Sequence, residues 1–259
     1  MFGQDFETLV VEYDGVPDGQ SARRVHVRLN RPEVRNAINQ QMVDELHAVC
    51  AELELRPGIL ILSGSPDPAV FASGADISQL RNRRRDEGLM GINATVFVRV
   101  AKLPMPVIAA LDGYVLGGGA ELAYAADFRL ATPRVKIGNP ETGLGIMAAA
   151  GATWRLKELV GEPVAKEILL AGRTLTAEEA KALTLVTEIH DPALLLDAAH
   201  ALADRIGKQD PLAVQVSKSV FHAPRDAHPA IDQIAQAMLF ESEAKFERMQ
   251  AFLDKRSRR

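Results

Sequence analysis

The feature that most limits what this chain can fold into is the run "MPVIAALDGYVLGGGAELAYAADFRLA", Met105 to Ala131. A buried-type apolar strand gives way to three consecutive glycines, Gly117 to Gly119, and then to an alanine-rich helical pattern. Glycine adopts backbone conformations closed to other residues and lets the main chain approach a neighbour or a ligand. A helix that begins just after Gly118 has unpaired N–H groups in its first turn and the positive end of its dipole at the same point. The junction is therefore a place to hold negative charge. Glu121 stands in that first turn among Leu122, Ala123, Tyr124, Ala125 and Ala126. So little polar face predicts a helix buried nearly all round, and the carboxylate buried with it. A buried carboxylate is costly unless partnered and has a raised pKa, which general acid–base work near neutral pH requires.

Two further glycine-bearing turns fall where a strand ends: "FASGAD", with Gly74, and "KIGNPETGLGI", which carries Glu141. Such turns can aim main-chain N–H groups into a cleft. Two carboxylates beside two such loops would suit proton transfers next to a carbonyl, although spacing alone does not bring them together. Other templates fail. The triple glycine is not G-x-G-x-x-G, because Leu122 stands where the last glycine belongs, and no lysine follows for a phosphate loop. H-E-x-x-H and G-x-S-x-G do not occur and the six histidines are scattered, so neither a metal nor a serine nucleophile is expected.

Strand and helix patterns alternate through the first part of the chain, which argues an α/β fold. "ARRVHVRLN" puts Val25, Val27 and Leu29 on one face, and "QQMVDELHAVCAEL" puts Met42, Leu46, Val49, Cys50 and Leu53 at helical spacing. "GILILSG" is a short buried-type strand, "FASGADISQLRNRRRDEG" runs from a loop into a polar helix, and "INATVFVRVAKL" has helical period. From Thr153 onward the chain is mainly helical and closes on "IDQIAQAMLFESEAKFERMQAFLDKR", read as one long amphipathic stretch. The expectation is one continuous domain, with a core over 1–195 and a C-terminal helical oligomerisation region over 196–259.

Thirty basic against thirty-four acidic residues give a formal charge of −4, with no global reason to bind nucleic acid or an anionic membrane. The basic run "LRNRRRDE", Leu80 to Glu87, raises RNA binding as an alternative, but Asp86 and Glu87 dilute it and no aromatics interleave, so a solvated helix face is expected. Cys50 is the single cysteine, which rules out an intrachain disulfide and suits a reducing compartment. "MFGQDFETLVVEYDG" is acidic and unlike a signal or transit peptide, so a cytoplasmic location is expected.

Nearly end to end, the chain resembles the enoyl-CoA hydratase/isomerase (crotonase) family. The resemblance rests on "LNRPEVRNAIN", "FASGADI", "LDGYVLGGGAELAYAADFRLA", "GNPETGLGI", "GATWRL", "LLAGRTLTAEEAKALTLV" and "MQAFLDKR". It implies a spiral of β-β-α turns with C-terminal helices that build trimers or hexamers as dimers of trimers. It implies an acyl-CoA substrate, with coenzyme A as part of that substrate and no further cofactor. The amides of Ala75 and Gly118 would form an oxyanion hole for the thioester oxygen. By the same resemblance Glu121 would hold and activate water for attack at C3, and Glu141 would handle the proton at C2 in syn hydration of a trans-2-enoyl-CoA. Isomerases of the superfamily commonly lack the first carboxylate, so having both favours a hydratase over a 3-enoyl/2-enoyl isomerase. Val34, Arg35, Ser73, Asp76 and Ile77 fall at substrate-binding positions, Arg35 near the CoA phosphates and Ser73 in the adenine loop, and Phe252 and Lys255 match a C-terminal pair that reaches a neighbouring subunit's CoA. Some relatives bind RNA. The chain departs from the family at Ala148 and Ala149, where Pro-Gly is frequent, at Trp154, where Gln is common, and at Ser73, which replaces a common Ala.

Overall fold

The alternation of Val25, Val27 and Leu29 becomes strand β2 (Arg24–Leu29), which buries all three. It pairs antiparallel with β1 (Leu9–Asp14) and parallel with β3 (Ile59–Ser63). These strands belong to a computed structural model that describes residues 6–14 and 23–257. The helical spacing of "QQMVDELHAVCAEL" becomes α1 (Gln40–Leu55), with Met42, Leu46, Val49, Cys50 and Leu53 facing the core. Asn39 caps this helix by accepting from the Met42 amide at 2.9 Å. Burial pushes the Cys50 thiol up to about 12, which makes it an inert core residue.

The chain then repeats one path. After β3 come β4 (Ser65–Pro66), β5 (Ala69–Ala72) and the helices α2 (Ile77–Leu80), α3 (Arg85–Met90) and α4 (Ile92–Ala101). Next come β6 (Val107–Leu111), β7 (Tyr114–Leu116) and α5 (Gly118–Ala125), followed by β8 (Phe128–Ala131) and β9 (Lys136–Gly138). Each turn leaves one strand in the first sheet and one in the second, the first turn adding the short β4 to the second sheet as well. The first sheet has the order β1-β2-β3-β6-β8-β11 and the second β10-β9-β7-β5-β4, where β10 is Thr174–Thr176 and β11 is Glu188–Ile189. Because β5, β7 and β9 run parallel, the loops that leave their C-terminal ends lie side by side. Those loops are "SGAD", "GGG" and "NPE", and this register assembles the site.

Every residue of β3 and of β6 is buried, as expected for parallel strands covered on both faces. One face joins the main core with α1, α4 and α5. The other, from Ile59, Ile61, Ile108 and Leu130, is covered by α9 (Leu195–Gly207) through Leu195, Ala199, Leu202 and Ala203. The helix that opens at Leu195 thus packs on the core sheet and covers its second face. Between β9 and α9 lie α6 (Ala152–Val160), α7 (Glu162–Ala171) and α8 (Ala177–Ala182), and after α9 comes α10 (Pro211–Phe221).

The closing stretch, expected as one amphipathic run, is two helices, α11 (Ala230–Phe240) and α12 (Glu243–Ser257). Ser242 makes the break: its hydroxyl donates to the Leu239 carbonyl at 2.8 Å and accepts from the Lys245 amide at 3.3 Å, ending one helix and capping the next. Likewise the polar helix after "FASGAD" divides into α2 and α3, and Gly91, at φ 59°, turns the chain from α3 into α4. Among the described residues no helix is long and apolar enough to cross a membrane.

Candidate active site

The triple glycine sits where the β7 loop must pass close to both of its neighbours. Gly117, at φ 53° and ψ −126°, caps α5, and its amide donates to Gly138 O at 2.9 Å at the end of β9. A Cβ on Gly117 would stand 3.2 Å from Glu141 Oε1, so the missing side chain is what lets that carboxylate approach the turn. A Cβ on Gly118 would lie 3.5 Å from the Ala75 nitrogen, which brings the "GGG" and "SGAD" loops together. Ala75 forms a parallel bridge with Ile38 that uses the amides of Ile38 and Asp76, leaving the Ala75 N–H outside it. Gly118 is the first residue of α5 and its N–H has no intrahelical acceptor. Two amides, one backed by a helix dipole, thus stand together at the cavity wall.

All eight residues of α5 are buried, as its composition predicts, and Glu121 is 3% exposed. One of its oxygens, Oε1, accepts from the amides of Ala150 at 2.6 Å and Ala152 at 3.1 Å. Burial is the main influence on its carboxyl and pushes the pKa up to about 7; the two amides oppose this and the charge of Glu141 adds to it. Glu141 opens a short 3-10 turn over Glu141–Leu144 and is also buried. Its Oε1 accepts from Asn139 Nδ2 at 3.4 Å, while Oε2 is buried with no hydrogen-bond partner among the described residues. Desolvation again raises the pKa, against the pull of its own amide and of Asn139. Asn139 is in turn held by Tyr124, whose hydroxyl donates to Asn139 Oδ1 at 3.0 Å. Both carboxyls line one cavity of about 460 Å³ together with Gly74, Ala75, Gly117 and Gly118.

The Glu121 shift has a stability consequence whose sign is fixed. Its folded pKa, about 7, lies above the ordinary 4.5, so the folded state binds the proton more tightly. The destabilisation is absent below the ordinary value, develops as pH rises between the two and is complete above about 7, where it is on the order of 3 kcal/mol. Glu121→Gln keeps an oxygen for the two amides and removes the charge. It should therefore raise Tm at about pH 8 and leave it nearly unchanged at about pH 4, measured by thermal unfolding at both. A lower Tm at the higher pH would contradict the burial argument.

The other candidate residues divide into two groups. Ser73 and Ile77 line the cavity beside the Ala75 and Gly118 amides, and so do Ala149 and Ala150 of the departing "AAA" segment. Val34 and Arg35 lie just outside it: Val34 ends a 3-10 turn, and Arg35, at φ 55°, accepts from the Ser73 amide through its carbonyl at 3.0 Å. Asp76 pairs with Arg31 at 3.0 Å, accepts from the Ser78 hydroxyl at 2.6 Å and caps α2. The Ser78 hydroxyl, more than any other group, holds its carboxyl below the usual range. Its side chain therefore serves the loop, while its neighbour Ala75 faces the cavity. Phe252 and Lys255 sit exposed on α12 and do not line this cavity in one chain. Trp154 is partly exposed beside the Arg155 guanidinium, whose carbon lies 5.3 Å from the ring centre. Sequence reasoning missed Asn139, the Ala150 and Ala152 amides, Asn93, Arg83 and Arg84. The amides carry no side-chain signal, and Asn93 is hidden inside an apolar helical period.

The family model for enoyl-CoA hydratase/isomerase matches residues 20–259. A short-chain-enoyl-CoA hydratase from Clostridium acetobutylicum is 36% identical over 238 residues, covering 89% of this chain and 91% of that protein. A crotonyl-CoA hydratase from Syntrophomonas wolfei is 36% identical over 238 residues, 88% of this chain and 90% of its own length. Among solved structures, an enoyl-CoA hydratase from Bacillus anthracis superposes with a TM-score of 0.88 at 29% identity, covering 96% of this chain and 97% of that one. The two stacked sheets, the β-β-α spiral and the C-terminal helices are therefore the crotonase fold, and the chain belongs to the enoyl-CoA hydratase/isomerase family.

Proposed function

We propose that the chain is an enoyl-CoA hydratase that adds water syn to a trans-2-enoyl-CoA and forms a 3-hydroxyacyl-CoA. The observation that carries this reading is the pair of buried carboxyls, Glu121 and Glu141, on one cavity beside the amides of Ala75 and Gly118. The amides of Ala75 and Gly118 receive the thioester oxygen as it becomes an enolate oxygen, in a setting where fixed donors need no reorganisation. Glu121, fixed through Oε1, holds and activates the water whose oxygen bonds to C3, and Glu141 transfers the proton to C2. The C2–C3 π pair moves toward the carbonyl and returns to form the C2–H bond. Carboxyls raised toward neutrality hold and release protons at the working pH. The names of the relatives support the same reaction. Crotonyl-CoA incubated with the protein in deuterium oxide should give 3-hydroxybutyryl-CoA with one deuterium at C2, syn to the hydroxyl. Deuterium exchange or double-bond migration with no hydroxyl formed would instead indicate an isomerase.

A trimer, or two trimers stacked, in the cytoplasm completes the reading. Its support is the apolar surface of the terminal helices, with Phe221, Ile234, Phe246, Met249, Phe252 and Leu253 all exposed in one chain. Light scattering at micromolar concentration should give a trimer or hexamer, and Lys255→Ala should raise KM for the thioester with little change in kcat. A monomer, or an unchanged KM, would remove the subunit-crossing role.

A further inference from the structure

Asn93 breaks the apolar pattern of α4. Val96, Phe97 and Val100 share its buried face at helical spacing, and a fourth apolar residue would complete the stripe. The asparagine is instead 9% exposed, its Oδ1 has no hydrogen-bond partner among the described residues, and it lines the active-site cavity. Its Nδ2 lies 3.4 Å from where a Cβ on Gly118 would stand, which places the amide beside the oxyanion loop. An unpaired buried amide oxygen is costly and can only accept, so this part of the wall is polar and calls for a donor from water or ligand.

A second, independent feature lies on the same cavity. Arg83 and Arg84, from the basic run expected as a solvated helix face, both line it. Neither guanidinium forms an ion pair among the described residues. Glu87 also lines the cavity; its carboxylate accepts from the Arg84 amide at 2.9 Å and lies in the field of both guanidiniums, so the three side chains together carry one net positive charge. One segment thus leads from the Ala75 amide past Ile77 and the apolar Leu80 to two cationic side chains.

We infer that the acyl group taken by this site is a short 2-enoyl chain ending in a carboxylate, which Arg83 and Arg84 bind. This rests on the hydratase reading for the chemistry and adds the substrate class. A guanidinium–carboxylate pair is stronger than a neutral hydrogen bond. A site built around such groups also rejects the analogue that lacks the partner, because the polar groups are then left unpaired.

The test compares two six-carbon thioesters, 2-hexenoyl-CoA and the 2-enoyl thioester of the same length ending in a carboxylate. The ratio of kcat/KM should favour the carboxylate form by about ten-fold or more. In the Arg83→Gln/Arg84→Gln double variant that ratio should fall to about one or below. Binding of the saturated pair, adipyl-CoA and hexanoyl-CoA, measured by calorimetry, should show the same preference. That measurement holds even if no hydration occurs, so failure of the hydratase reading and failure of this one are distinguishable. A ratio near one in the unmodified protein would overturn the inference. So would a preference that survives the double arginine variant, since the guanidiniums would then meet the CoA phosphates common to both thioesters.

Discussion

Glu121→Gln and Glu141→Gln should each lower kcat for crotonyl-CoA hydration by about 10² to 10⁴ while thioester affinity barely moves. The reason is positional. Glu121 is fixed by the Ala150 and Ala152 amides through one oxygen, and Glu141 reaches the Gly117 turn with Oε2 unpaired among the described residues. Glutamine preserves the shape of either side chain and cannot exchange the proton. In the proposed mechanism the two groups act on one water and one proton path, so the double variant should lose far less than the product of the two single losses. Steady-state kinetics on variants checked for folding by circular dichroism measures all three. Losses that multiply would mean that the carboxyls act in separate steps.

Gly119→Ala should damage stability and activity together. A Cβ at this position would lie 2.4 Å from the Ala72 carbonyl oxygen and 2.7 Å from the Ala72 Cβ. Both atoms belong to a fully buried strand residue that has nowhere to move. The helix α5 must shift instead, and it carries both Gly118 and Glu121. Overpacking of this kind costs about 1–3 kcal/mol, which lowers Tm by roughly 2–12 °C in a chain of this size. A misplacement of about 1 Å between the Gly118 amide, which moves with α5, and the Ala75 amide, which does not, is enough to cost about 10² in kcat. Gly143→Ala is the control for stability, since a methyl there meets nothing within 4 Å. Unchanged Tm and kcat in Gly119→Ala would show that β5 and α5 are not in the close contact on which the oxyanion geometry depends.

Much of the fold is written in local pattern. The alternation in β2, the helical stripe of α1 and the apolar runs of β3 and β6 all sit where spacing puts them, because burial on one face or both is a local property of sequence. Glu121 belongs to the same class: its apolar helix predicts its burial, and burial accounts for the direction of its pKa. The rest depends on which strands pair. The Ala150 and Ala152 amides that fix Glu121 and the approach of Glu141 to Gly117 follow from the parallel register of β5, β7 and β9 and from the chain's return after it, which no local period encodes. The family resemblance names Glu121, Glu141, Ala75 and Gly118 together, and all four line one cavity, since motifs carry such long-range pairing. It was least informative where the chain departs from the family or where its residues face inward unexpectedly. Arg83 and Arg84 read as surface charge, and the α2–α3 break sets them at the cavity, with Arg84 still exposed and Arg83 half-buried. Ser242, likewise, reads as one polar residue in a long amphipathic run until its hydroxyl is seen capping α12.

The central claim is that two carboxyls act on one water, which separates hydration from isomerisation. Glu121→Gln, assayed side by side for hydration of crotonyl-CoA and for conversion of a 3-enoyl-CoA to its 2-enoyl isomer, tests it most directly. The expected result is active hydration by the unmodified protein and a loss of about 10² to 10⁴ in the variant. Hydration that persists at the unmodified rate in Glu121→Gln, or an unmodified protein that isomerises without hydrating, would contradict it.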